Sequence, residues 1–199
     1  MRKFFDNRIQ RNVILINAGE YYISTDNEVI STLLGSCISA CLYDRITGFG
    51  GMNHFMLPER AKNIDITHLN RSDINHSYEL MRYGVTAMGV LISDMQKKGV
   101  KRENITAKIF GGGMIINMSK NNHGVGWSNI QFIRSYLEKE RIPIEAENTG
   151  EHIGRKVLFD TADNSVTVKH IAIDSVAETE KQYLERINTP QPKQKIIYF

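Results

Sequence analysis

The sequence predicts an α/β protein of the α+β type, a layered sandwich whose mixed β core is flanked by two to three helices. Three observations carry that expectation. Short β-branched and aromatic runs crowd the first third of the chain, the middle repeats apolar residues at helical spacing, and strand-like runs return after Pro143.

The elements follow in order. "NVILIN", "EYYIS" and "EVISTLL" read as strands, divided by Ala18-Gly19 and Asp26-Asn27, which suit turns. "GFGGMNHFML" reads as a further strand whose glycines permit a bulge or a close backbone approach. Residues 59–72 are polar and aperiodic, as in a surface loop. From Ile74 to Lys98, the residues Leu80, Tyr83, Met88, Leu91, Ile92 and Met95 mark one face of the longest helix, and Gly99 stops it. "NITAKIF" reads as a buried strand running into Gly111-Gly112-Gly113. Ser128 is the expected N-cap of a second helix, with Ile130, Ile133 and Leu137 turned inward and Pro143 beyond its end. Strands are expected at about 143–148, 154–160 and 165–172, and a third helix over 174–187. Residues 1–187 then form a single domain, and 188–199 ("NTPQPKQKIIYF") a flexible C-terminal tail.

Composition narrows the class. A chain of 199 residues can bury a core without disulfides or metals. No apolar run approaches the roughly 18 to 20 residues that span a bilayer, and the apolar run before Asn17 is too short for a signal-peptide core, so a cytoplasmic location is expected. There the two cysteines, Cys37 and Cys41, are free thiols. A net charge of +3 with scattered Lys and Arg suggests neither nucleic-acid binding nor membrane insertion.

The stretch "STLLGSCISACLYDRITGFGGMNHFMLP", residues 31–58, holds the chemistry. Gly35 and Ser36 suit a sharp turn into Cys37, from a strand to a helix or to another strand, where nearby backbone N–H groups of Ser36 and Cys37 face a developing oxyanion. His54 follows seventeen residues on, inside an apolar stretch. Taken alone, each residue reads as core: a buried cysteine and a satisfied histidine. Together they supply a nucleophile and a group that serves as base and then acid at neutral pH. His68, His76, His123, His152 and His170 show no HxxxH, HExxH or CxxC spacing, so neither a metal nor a cofactor is expected. The glycines at 111–113 lack a P-loop's Lys-Ser or Lys-Thr and read as close packing beside the cleft. Cys41 reads as a buried neighbour, with a Cys37/Cys41 redox switch as the lesser reading.

In order and spacing, "LLGSC", "GGMNHFMLP", "AKIFGGG", a helix, "IPIEAENTG" and "GRKVLF" resemble the chemoreceptor glutamine deamidase family, CheD, from about Gly19 to Ile171. The resemblance implies a cysteine hydrolase that turns glutamine side chains of methyl-accepting chemotaxis receptors into glutamate through a thioester, with glutamyl methyl ester hydrolysis as a side activity. Cys37 is then the nucleophile and His54 the base. The family's third residue is a threonine shortly before the cysteine, in a "TLGLGSC" type segment, and this chain's "STLLGSC" is one residue shorter if the threonines are matched. Matching threonines selects Thr32, and the ungapped position selects Ser31. Where the family has Ile-Gly-x-Arg-Asn, this chain has Val125-Gly126-Trp127-Ser128-Asn129, and Glu151 stands where a second glycine is usual. An open cleft with an apolar rim, including Phe55 and Met56, would suit a glutamine on a receptor helix. The resemblance also implies a CheC-type chemotaxis phosphatase as a partner, and a mainly regulatory binding role is the alternative to catalysis. A thiol protease or transglutaminase is a further rival.

Overall fold

The computed structural model describes residues 1–57, 81–114, 124–176 and 178. The expected loop at 59–72, the start of the expected first helix over 74–80, residues 179–187 of the third, and the tail lie outside these residues. Ten strands make two five-stranded sheets. The first sheet runs β1 (Arg2–Asp6), β2 (Arg11–Leu15), β4 (Val29–Leu34), β9 (Gly154–Asp160), β10 (Val166–Ile171). The second runs β3 (Tyr21–Ser24), β6 (Phe49–Asn53), β5 (Ile38–Asp44), β7 (Thr106–Gly111), β8 (Ile144–Thr149). Both are mixed. β2 lies parallel to β4 and β7 parallel to β8, while the other pairs are antiparallel.

The two long helices, α1 (Gly84–Lys97) and α2 (Gly124–Lys139), give the layers their order. All seven β5 residues are buried, and their side chains alternate between two apolar clusters. Ile38, Ala40 and Leu42 join Met88, Leu91, Ile133 and Leu137 in the cluster against the helices. Cys37, Cys41 and Tyr43 join Ile14, Ile30, Leu34, Val157 and Phe159 between the sheets. The layers are therefore sheet, sheet, helices, with both long helices on one side. α2 also forms the crossover that a parallel β7–β8 pair requires.

Three expectations about element ends change. β1, which the sequence reading does not include, is an exposed edge strand that among the described residues pairs with β2 alone. α1 begins at Gly84, later than the expected Ile74. Tyr83 is extended (φ −94°, ψ 131°) and forms a bridge with Leu57, which ties this stretch to the end of β6. Ser128 is no N-cap. α2 already starts at Gly124, and the Ser128 hydroxyl donates back to the Gly124 carbonyl at 3.1 Å. Residues Asp174, Ser175 and Val176 are helical, at the start of the expected third helix.

Candidate functional site

Cys37 sits at the turn between β4 and β5. That turn joins two strands, so no helix begins at Cys37 itself. Its backbone is held on every side. The carbonyls of Gly35, Ser36 and Cys37 accept hydrogen bonds from Gly113 N (2.6 Å), Asn129 Nδ2 (2.9 Å) and Gly112 N (2.8 Å). Gly111 allows this at φ +108°, where a Cβ would lie 2.1 Å from the Cys37 oxygen. A Cβ on Gly126 would lie 2.6 Å from the Gly112 and Gly113 oxygens, so α2 approaches the strand end backbone to backbone. The expected close packing beside Cys37 is thus present, and it involves a helix as well as the strand.

His54 follows β6, and the β5–β6 register reaches it. Cys41 faces Met52, and Ile38 forms a bridge with Phe55 through reciprocal N–H to carbonyl bonds of 3.0 and 2.9 Å. Continuing the same register sets Cys37 opposite Met56. His54 is then its diagonal neighbour on the same face, a separation of roughly 7–8 Å between Cα atoms that an imidazole can reach across. The turn after β2 fixes the histidine backbone: His54 N donates to Glu20 O (3.0 Å), and Gly19 N donates to His54 O (2.8 Å).

The imidazole reaches the other sheet. Thr32 Oγ1 lies 2.8 Å from His54 Nδ1 and donates its proton to Ile16 O at 2.8 Å. A hydroxyl has one proton, so with it committed to Ile16 the contact to His54 is satisfied when Nδ1 carries a hydrogen. That tautomer leaves the lone pair on Nε2, the nitrogen a base uses. Ser31 points the opposite way along β4. It is buried, and its hydroxyl has no partner among the described residues. Strand alternation thus separates two adjacent hydroxyls, and the one that meets His54 is Thr32's.

Phe55 and Met56 do not form an apolar rim. Both are buried, and Phe55 packs edge-on to Phe132 with ring centroids 5.6 Å apart. The odd and even positions of this stretch alternate between the two core clusters, which leaves neither for solvent. Cys41 is buried as expected, and burial pushes its thiol well above the ordinary cysteine range, with Lys108 pulling weakly the other way. Four residues at strand rise set the two Cα atoms roughly 13 Å apart, beyond the roughly 7 Å that a disulfide spans, and both thiols are free. Glu151 adopts φ +60° beside Gly150 at +78°, the left-handed region that favours glycine, as the resemblance implies for this position.

Asn129 was named in the sequence without a role. Its side chain is buried, and Nδ2 donates both to Ser36 O and to Met56 O, at 2.9 and 2.8 Å. Its place on the inner side of α2 was readable from helical spacing, since Asn129 adjoins the buried Ile130 and Ile133, but its acceptors belong to distant segments.

Fold and side chains together describe a class: a three-layer α+β protein in which a cysteine and a histidine share one face between two sheets, with a threonine bonded to the histidine. The chain belongs to the CheD family, since residues 56–170 match its model, described as CheD chemotactic sensory transduction. It is 40% identical over 186 residues to the probable chemoreceptor glutamine deamidase CheD 2 of Shewanella oneidensis, across 89% of this chain and 88% of that relative. It is 39% identical to proteins named probable chemoreceptor glutamine deamidase CheD from Janthinobacterium sp. and Herminiimonas arsenicoxydans, each across 94% of this chain and 88% of the relative. The family match begins past Thr32, Cys37 and His54, so those three residues lie outside it, while the Gly112, Gly113 and Asn129 that hold the Cys37 backbone lie within it.

Proposed function

We propose that this chain is a chemoreceptor glutamine deamidase, an amidohydrolase that converts receptor glutamine side chains to glutamate. The observation that carries the reading is the Thr32–His54 hydrogen bond on the face shared with Cys37, in a chain whose relatives bear that name. His54 Nε2 takes the Cys37 proton, and the thiolate attacks the carboxamide carbon. Backbone N–H groups of Ser36 and Cys37 stabilise the oxyanion. As the C–N bond breaks, the imidazolium returns its proton to the leaving ammonia, and a thioester remains on Cys37. Water, deprotonated by the same imidazole, attacks the thioester; the C–S bond breaks and glutamate leaves. Thr32 keeps the ring in the tautomer that both half-reactions need.

Each turnover replaces a neutral amide by a carboxylate, and like charges along a helix repel by a few tenths of a kcal/mol per pair. Summed over sites, such terms bias a two-state receptor bundle. Glutamyl methyl esters, with a better leaving group, fit the same steps. A cytoplasmic location follows from receptor signalling domains as substrates, and no helix of the described residues is long and apolar enough to cross a membrane. A CheC-type phosphatase is the proposed regulatory partner.

The test is ammonia release and intact mass on a receptor cytoplasmic fragment. Each amide turned to acid adds about one mass unit, and this gain vanishes in Cys37→Ala and His54→Ala. A competent receptor left unchanged by the native chain would favour the regulatory role. Activity surviving Cys37→Ala would overturn the mechanism, and a cut backbone or amine crosslinking would identify a protease or transglutaminase.

A further inference from the structure

Asn129 makes a contact that most side chains cannot. Its amide nitrogen donates to Ser36 O at 2.9 Å and to Met56 O at 2.8 Å, in a side chain fully shielded from solvent. Among uncharged side chains only an amide places two donor hydrogens on one atom. The orientation is set by chemistry, because a flipped amide would turn its oxygen toward two carbonyls. The Asn129 oxygen, for its part, has no hydrogen-bond partner among the described residues. A buried acceptor without a partner costs stability, so the side chain keeps this geometry for what its nitrogen holds.

What it holds is one peptide plane. The plane between Ser36 and Cys37 carries the Ser36 carbonyl on one side and the Cys37 N–H on the other. Fixing the first aims the second. The planes before and after are fixed too, through Gly113 N to Gly35 O and Gly112 N to Cys37 O, but by backbone groups. The middle plane is held by a side chain, and that side chain also reaches the stretch that follows His54. We propose that Asn129 is a positioning residue that aims the Cys37 N–H at the oxyanion of the acyl-transfer step. The inference rests on the proposed function for the use of that N–H.

Two reactions of the same thiol separate this role from plain structural support. Alkylation by iodoacetamide displaces iodide at a saturated carbon and forms no oxyanion. Acylation by p-nitrophenyl acetate does: the thiolate adds to the ester carbonyl, the C–S bond forms, the C–O bond breaks and p-nitrophenolate departs. Both rates are measured at Cys37 by peptide mapping across pH, in the full chain and in Asn129→Ser and the near-isosteric Asn129→Asp, with Ser128→Ala as a neighbouring control. Acylation is expected to fall about tenfold or more in both Asn129 variants while alkylation and its pH midpoint stay within about threefold. Rates that fall together with the melting temperature, or acylation left unchanged in a folded variant, would overturn the proposal. So would a native thiol that alkylates readily but acylates no faster than a free cysteine. A receptor fragment left unmodified by a native chain that shows the expected acylation pattern would defeat the deamidase reading and leave this one standing.

Discussion

Cys37 and Cys41 are the same residue type in one apolar cluster, the first at the turn into β5 and the second within that strand, and both are buried. Their surroundings differ in regularity. Cys41 lies in mid-ladder, between Met52 on β6 and Lys108 on β7, where every neighbour repeats the strand pattern. Cys37 lies where the ladder breaks, and three successive carbonyls there are tied to loop glycines and a helix side chain. Burial alone therefore does not distinguish a reactive thiol from an inert one. What sets Cys37 apart is a backbone at the end of the ladder held by loop glycines and a helix side chain.

Substitution of the two thiols is the harshest way to break this contrast. Cys37→Ala is expected to lower receptor deamidation by at least about 10³-fold. Cys41→Ala should keep activity and lose about 1 kcal/mol of stability for the small cavity it leaves, read by denaturant unfolding. Equal loss of activity in both would erase the difference.

The hydroxyl pair gives the next largest effect. Thr32→Val preserves shape and removes the group that receives the His54 proton, so kcat should drop about 10- to 100-fold, part of what general acid–base catalysis supplies. Ser31→Ala should leave kcat alone and be neutral or stabilising, since it deletes a buried hydroxyl that has no partner. Steady-state kinetics and melting curves on both variants check this.

Backbone contact at the broken end of the ladder comes third. Gly126→Ala forces a methyl group into the Gly112 and Gly113 carbonyls and should cost about 1–3 kcal/mol, with activity falling at temperatures where the variant remains folded. A variant as stable as the native chain would mean that α2 can retreat without disturbing Cys37.

The smallest expected effect lies far from Cys37. Burial alone would raise the Glu28 carboxyl, but hydrogen bonds from Lys3, Ser24 and Tyr22 outweigh it and hold the group below the usual carboxylate value of 4.5. A depressed folded value means this contribution is complete above the unfolded value and is lost as pH falls through the folded one. Unfolding midpoints followed from pH 7 toward 3 should therefore decline less steeply in Glu28→Gln than in the native chain. Parallel declines would remove Glu28 from the acid response.

Much of this arrangement was legible in the sequence. Apolar and β-branched runs mark eight of the ten strands among the described residues; β1, exposed at an edge, and β5, which follows the Gly35-Ser36-Cys37 turn, were not read as strands. Helix ends were harder to read. A tertiary bridge, Leu57 to Tyr83, decides where α1 starts, and a backbone contact at Gly126 accompanies the early start of α2. Cys37 and His54 were visible as residue types with a purpose. The choice between Ser31 and Thr32 depends on strand parity, which a one-residue shift in matching inverts. Asn129 lay beyond reach because its partners are carbonyls, which no side-chain pattern encodes.

The bond from His54 to Thr32 crosses between sheets, and Thr32 is itself paired with Val157 on β9. The histidine's orientation thus waits on a strand made long after its own. A nascent chain that has emitted Cys37 and His54 already holds Thr32 but lacks the β9 strand that pairs with it, so in a half-built molecule the ring's hydroxyl partner sits on an incompletely paired strand. For the proposed chemistry, completion of β9 is then the step that finishes the pairing of the strand carrying Thr32.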